Sequence, residues 1–319
     1  ALDLLDPDSP THALDVVSTI EAVLEAPMAV LVAQQHAARG EAVAEMKADG
    51  IEYDERMERL EDVTWPKPLS DLLDAAFETY AQSQPMVRMY ELSPKSVVRE
   101  MYENAWSFGD LVKQYDLSRS EGIVLRYLTD AWRTLKQSIP DEYNTPELED
   151  IVVWLGELIR QVDSSLVDEW AQMAGEDSPI DQDTVDRELA FGVEDPSALT
   201  ANRRAFTIMV RNYMFRLAQL FALEEEDRLA EVLDYLDEIP DFGAVLDDYF
   251  DEYDDIDTGP EARGPEYFRL EESSSRSWPV RQIIKDPAGD RAYQFVATVD
   301  LDASDEAGEV SLSELRVEY

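Results

Sequence analysis

Ser118-Arg119-Ser120-Glu121-Gly122-Ile123-Val124-Leu125-Arg126-Tyr127-Leu128-Thr129-Asp130-Ala131-Trp132-Arg133-Thr134-Leu135-Lys136 is the best-patterned stretch of the chain. Ile123, Val124, Tyr127, Leu128, Ala131, Trp132 and Leu135 recur at helical spacing and define one apolar side. Ser118 and Glu121 have the spacing of a capping box, in which each side chain satisfies an orphan backbone N–H. Arg119, Arg126, Arg133 and Lys136 follow at spacings of seven and three, so they are expected on one face of this helix. Pro140 ends it.

Helical patterns continue on both sides. Upstream, Ala13, Val16, Val17, Ile20, Val23 and Leu24 recur at helical spacing, with Ser9 or Thr11 as caps. Pro27 breaks that pattern, and further helices are expected over 28–47, 53–62 and 70–83, the last capped by Ser70. Short helices are expected over 95–104 and 107–115. Downstream, Thr145 and Pro146 open a helix as N-cap and first residue, and its pattern runs to about residue 174. Residues 175–200 are polar and rich in Asp and Pro, and read as a linker or surface loop. Helices return over 202–222, 227–237 and 242–253.

From Gly259 the period changes to that of strands. Residues 267–270, 278–285, 292–301 and 310–317 read as four strands, with Asp286-Pro287-Ala288-Gly289-Asp290 as a hairpin loop and room for a bulge near Val296–Val299. The expected fold is therefore a mainly α helical bundle with a small C-terminal antiparallel β-sheet (α+β). Its expected divisions are 1–175, a linker over 176–201, and 202–319.

Composition excludes much chemistry. No cysteine is present, which removes disulfides, thiolate metal sites and thiol catalysis. Neither His12 nor His36 lies in a metal-ligand or general-base pattern. No nucleophile elbow, P-loop or dinucleotide fingerprint occurs, and only 12 glycines are available for phosphate cradles. No catalytic residue and no metal ligand is assigned. No apolar run is long enough to span a membrane, and the acidic N-terminus is no signal peptide, so the expected location is the cytoplasm. Without an initiator Met, the chain is expected to be a part of something longer.

The net charge is -44, from 71 acidic and 27 basic residues, a balance that repels nucleic acid and anionic membrane overall. A GC-rich genome or a salt-adapted proteome accounts for it. The densest acidic cluster, Asp247–Asp257, lacks the glycine and final glutamate of an EF-hand loop and reads as a solvated face. Basic charge is scarce, so its placement carries information. Residues 86–137 hold eight basic and seven acidic residues. Residues 202–219 hold Arg203, Arg204, Arg211 and Arg216 with no acid, interleaved with Phe206, Tyr213 and Phe215. Arginine with aromatics on a helix suits the phosphates and bases of a single strand. Pairing of these arginines with nearby acids, as glue between helices, is an equal reading.

Three stretches resemble a known family. They are Leu92-Ser93-Pro94-Lys95-Ser96-Val97-Val98-Arg99-Glu100-Met101, Phe108-Gly109-Asp110-Leu111-Val112 and Ser118–Leu128. Together with Asn202-Arg203-Arg204-Ala205-Phe206 and the tail Asp300–Gly308, they resemble a domain of unknown function at the C-terminus of actinobacterial DEAD/DEAH-box (Ski2-like) helicases. The helix from Ser118 also resembles the signature helix of the C-terminal helical domain of Ski2-like and Mtr4-like RNA helicases, through Glu121, Gly122, Leu125, Arg126, Arg133 and Leu135.

The resemblance implies a non-catalytic accessory region of an ATP-dependent helicase. It would pack on the helicase core of its parent chain and guide single-stranded RNA or DNA. ATP and Mg would bind in that core, with no cofactor in this segment. Two rival expectations stand beside it. One is an acidic adaptor that docks a basic partner. The other is a small-ligand module in the C-terminal part, similar to cone-shaped NTF2-like folds, with a pocket lined by Trp278, Tyr293 and Phe295.

Overall fold

The computed structural model describes residues 1–162, 198–273 and 275–319. The chain divides into two compact units, Ala1–Val167 and Asp168–Tyr319. The fold is helical with one small antiparallel sheet near the C-terminus, as the residue pattern requires.

The first unit is built from α1 (His12–Glu21), α2 (Met28–Ala48), α3 (Tyr53–Leu60), α4 (Ser70–Ser83), α5 (Val98–Glu103), α6 (Phe108–Gln114), α7 (Glu121–Ser138) and α8 (Pro146–Val162). α7 packs on α8, and α1 packs on α5, α7 and α8. Val16, Val17, Met101, Leu128, Ala131, Leu155 and Ile159 have no exposed surface and form the centre of this core. α2 buries Val30, Leu31, Gln34 and Met46, but α3 and α4 are different. α3 buries no residue, and α4 buries only Leu73 and Ala81. These helices form an arm with little core of its own.

Caps decide several helix starts, and not always where the pattern placed them. Thr145 does cap α8, since Leu148 N donates to its Oγ1 at 3.2 Å. Ser118 does not cap α7. The helix begins at Glu121 behind Ser120, which makes no side-chain cap bond, and Arg119 sits in the preceding turn. The capping box lies one helix earlier, where Asp110 N donates to Ser107 Oγ and Ser107 N donates to the Asp110 carboxylate. Ser70 is the first residue of α4, behind Leu69 in a left-handed conformation, and does not cap it. α1 stops at Glu21, so Val23 is exposed rather than part of the apolar stripe.

Gly156 shows how closely α7 and α8 approach. A Cβ added there would lie 2.7 Å from Trp132 Nε1. Trp132 is itself buried, so its ring has little room to retreat. Gly156→Ala should therefore destabilise the chain by about 1–3 kcal/mol through overpacking, despite the better helix propensity of alanine. Urea unfolding measures it, and an unchanged or raised midpoint would show that the indole swings aside at no cost.

The second unit opens with a buried 3-10 turn, Leu199–Ala201, at the end of the stretch read as a linker. It is tied down by Asp305, whose carboxylate accepts from Thr200 N and Oγ1 and pairs with Arg276. The rest of that stretch, and the expected continuation of α8 beyond Val162, lie outside the described residues. α9 (Arg203–Ala222) follows, capped by Asn202, whose Oδ1 accepts from Ala205 N. Then come α10 (Glu226–Val232) and α11 (Phe242–Glu252).

The sheet is a four-stranded antiparallel meander of β1 (Phe268–Leu270), β2 (Ser277–Ile283), β3 (Gln294–Asp300) and β4 (Leu312–Glu318). The Asp286–Asp290 loop joins β2 to β3. The Asp286 carboxylate accepts from Asp290 N and Arg291 N, and Gly289 supplies a φ of +77°. A register shift at Thr298/Val299 places the bulge. An unexpected short helix, α12 (Leu301–Ala307), connects β3 to β4. Asp300 caps it by accepting from Asp302 N and Ala303 N, and Gly308 ends it in the left-handed conformation.

One face of the sheet packs on α9. Phe221 of α9 meets the edges or faces of Phe242, Tyr249 and Phe295 at 5.5–6.4 Å between centroids. Trp278, Tyr293 and Phe295 are buried in this cluster.

Candidate docking face on helix α7

A buried polar network sets the position of α7. Glu21, at the end of α1, is almost wholly buried. Its carboxylate accepts from Val97 N and Val98 N at 2.9 Å, from Arg99 N at 3.2 Å and from Tyr127 OH at 2.8 Å. The start of α5, Val97–Arg99, thus closes around a carboxylate from 76 to 78 residues earlier. Burial pushes the Glu21 carboxyl above the usual range, and the four donors pull against that rise.

Lys95 is also buried, and its Nζ donates to Leu24 O and Ser93 O. Burial draws its ammonium down to about 8, while Glu21 opposes the fall. Arg99 pairs with Asp15 at 2.8 Å and with Glu103 at 2.8 Å. Gln34 donates to Ser96 O and Glu100 Oε2, and Tyr115 OH donates to Glu100 Oε1. These groups hold α1, α2, α5, α6 and α7 in one arrangement. Residue spacing along the chain did not reveal them. The only signal was a run of polar residues inside an apolar stretch, Ser93–Glu100.

Tyr127 faces this network, so the opposite side of α7 faces solvent. Gly122 and Arg126 are exposed there, and Ile123, one turn before Tyr127 and expected on the apolar side, instead retains 52% of its surface. A Cβ built on Gly122 would meet nothing within 4 Å. Arg126 is held loosely, at 3.6 Å from Glu25 and 3.8 Å from Asp130, with three quarters of its side chain exposed. Such exposed pairs hold a guanidinium by less than about 1 kcal/mol. Val23 is exposed beside Glu25, which adds an apolar residue to the rim.

The other basic residues expected on this face are distributed differently. Arg119 is exposed in the turn before α7. Arg133 is half-buried, and its Nε lacks a hydrogen-bond partner. Lys136 is exposed with its Nζ 5.6 Å from the Trp132 ring.

On α9, Arg203, Arg211 and Arg216 are half-buried and Arg204 is exposed. Arg203 lies over Trp278 at 5.1 Å and pairs with Glu272 at 2.6 Å. Arg211 lies over Phe268 at 5.5 Å. Arg204 and Arg216 also have interactions within the chain. Phe206 and Phe215 are buried, and Tyr213 OH is 2.8 Å from Tyr235 OH. These three rings pack the unit rather than stand open for bases.

His12 is buried, with Nδ1 3.0 Å from Asp6 O, and His36 is exposed. Among the described residues, no group of three or more His, Asp or Glu could hold a metal ion. An acidic groove in the second unit runs between Glu224, Glu226, Asp247 and Asp251, with Leu246 and Phe250 in its lining. No helix among the described residues is long and apolar enough to cross a membrane.

The model of the family described as Domain of unknown function (DUF3516) matches residues 1–317. The chain belongs to this family. No curated protein and no solved structure matches the chain. Within this DUF3516 chain, the Leu92–Met101 stretch supplies the groups that close on Glu21, and the Ser118–Leu128 stretch leads into α7 with Glu121, Gly122, Ile123 and Arg126 exposed.

Proposed function

We propose that this chain is a non-catalytic accessory region of an ATP-dependent Ski2-like helicase, acting through the outer face of α7. That face packs on the helicase core or borders the path of a single strand of RNA or DNA. ATP and Mg belong to the parent's core in this reading, and the protein works in the cytoplasm.

One observation carries the proposal. Of the residues that resemble the helicase signature, Glu121, Gly122 and Arg126 are exposed, Leu125 and Arg133 are half-buried and Leu135 is buried with Tyr127 and Leu128. A glycine in a helix lowers stability by up to about 1 kcal/mol relative to alanine. Nothing within the unit requires Gly122 to lack a side chain. A partner surface that comes close to the helix at this point accounts for it. Arg126 beside it offers a charge to a phosphate or a carboxylate.

The test is binding of a fluorescent single strand, as RNA and as DNA, across a salt series, together with binding to a Ski2-like helicase core from the same organism. The expected result is salt-sensitive binding to one of these, weakened about tenfold in Arg126→Ala/Arg133→Ala. Arg204→Ala/Arg211→Ala should change it less, because those arginines are engaged within the second unit. No binding to either partner at low salt would sink the proposal.

A further inference from the structure

The arm of the first unit ends in an apolar surface. Tyr80 lies near the end of α4, and the chain then turns through Pro85–Met89, a 3-10 turn that packs back on α4. Met86, Met89 and Tyr90 keep 77%, 84% and 75% of their surface exposed, and Tyr80 keeps 57%. In a 3-10 turn, residues three apart eclipse each other, so Met86 and Met89 point the same way. The segment is well defined, with backbone hydrogen bonds from Val87 N to Gln84 O and from Tyr90 N to Val87 O. It is not a frayed loop.

Four large apolar side chains exposed together mark an interaction surface more often than an accident. Methionine is unbranched and polarisable, and it adapts to partner side chains of different shapes.

The surroundings say what that partner carries. Glu78 and Glu91 are exposed beside this surface, and Asp71 and Asp74 are exposed further back on α4. Arg88 is the one basic residue of residues 70–91, and it is bound to Glu78 at 3.1 Å. An apolar patch of methionines and tyrosines inside an acidic rim complements a helix with one apolar face and lysines or arginines beside it. An acidic lipid surface would be repelled by the same rim.

We propose that the Tyr80–Tyr90 tip of the arm docks a basic amphipathic helix of a partner protein. Met86 and Met89 meet the apolar face of that helix, and Glu78 and Glu91 meet its cations. This surface is separate in residues from the α7 face, and each can fail alone.

The probe is a fluorescent synthetic helix of leucine and lysine, with a second peptide of the same composition in scrambled order. Fluorescence anisotropy with the full chain should show the amphipathic order bound at least about tenfold more tightly than the scramble. Met86→Ser/Met89→Ser should remove most of that preference. Its thermal melt should be unchanged, because both side chains are exposed. Glu78→Gln/Glu91→Gln should reduce the salt dependence and leave the preference for the amphipathic order. Equal affinity for the two peptides would mean that overall charge alone attracts them, and would overturn the proposal. So would a methionine variant that binds like the wild type, or sedimentation showing that the surface instead pairs two copies of this chain.

Discussion

Glu21→Ala should lower the stability of the first unit by about 3–5 kcal/mol, the largest loss expected from any single substitution there. The carboxylate accepts from three backbone N–H groups and one tyrosine hydroxyl, all removed from water. Without it those four donors are buried and unsatisfied, and the buried Lys95 ammonium loses the nearest opposite charge. Tyr127→Phe removes one of the four bonds and should cost about 1–1.5 kcal/mol. Glu21→Gln keeps one acceptor oxygen but turns an NH2 group toward N–H donors, so it should fall between the two. Denaturant unfolding gives the sizes. Hydrogen exchange gives the place, with protection lost across α1, α5 and α7. A Glu21→Ala loss below about 1 kcal/mol would mean that water replaces the carboxylate and that the network holds little.

Phe221→Ala should cost the second unit about 3–5 kcal/mol, the range for removing a buried ring. Phe221 has no exposed surface and touches Phe242 and Tyr249 of α11 and Phe295 of β3. Its loss opens a cavity between the sheet and both helices. The neighbours cannot easily collapse into it, because Phe242 and Phe295 are already edge-on to each other at 6.2 Å. Exchange protection should fall over residues 203–319 and hold over α1, α7 and α8. A double substitution with Phe295→Ala should cost less than the sum of the two, since both line one cavity. Strict additivity would show that the rings do not share it.

Much of the scaffold was legible because its signals are local. The 3.6 period, Pro27, Gly50, Thr145-Pro146 and Asn202 place both ends of α2 and α9, and the start of α8, within about two residues of where they are observed. The Asp286–Asp290 loop is equally local, a carboxylate closing on its own backbone. α12 was legible and missed. Asp300 at its start and Gly308 at its end are ordinary stop and start signals, but the strand pattern was read through Leu301 and covered the first of them. The α7 cap was misplaced because Ser107-x-x-Asp110 and Ser118-x-x-Glu121 have the same form. Local spacing cannot say which copy has the backbone geometry to close the box.

The site was legible only in part. The sequence by itself determined which segments are helix and strand, where they break, and that basic charge is concentrated in two places. Tertiary structure decided which of those charges face solvent. Lys95 and Arg99 belong to the basic stretch, yet one is buried and the other is held by Asp15, 84 residues away. Arg203 and Arg211 lie against Trp278 and Phe268 of a sheet formed far downstream. Arg126 combines a helix position with high exposure and loose ion pairs. The reason is physical. A backbone conformation depends on neighbours a few residues away, whereas the cost of burying a charge depends on which partners the fold brings to it from anywhere in the chain.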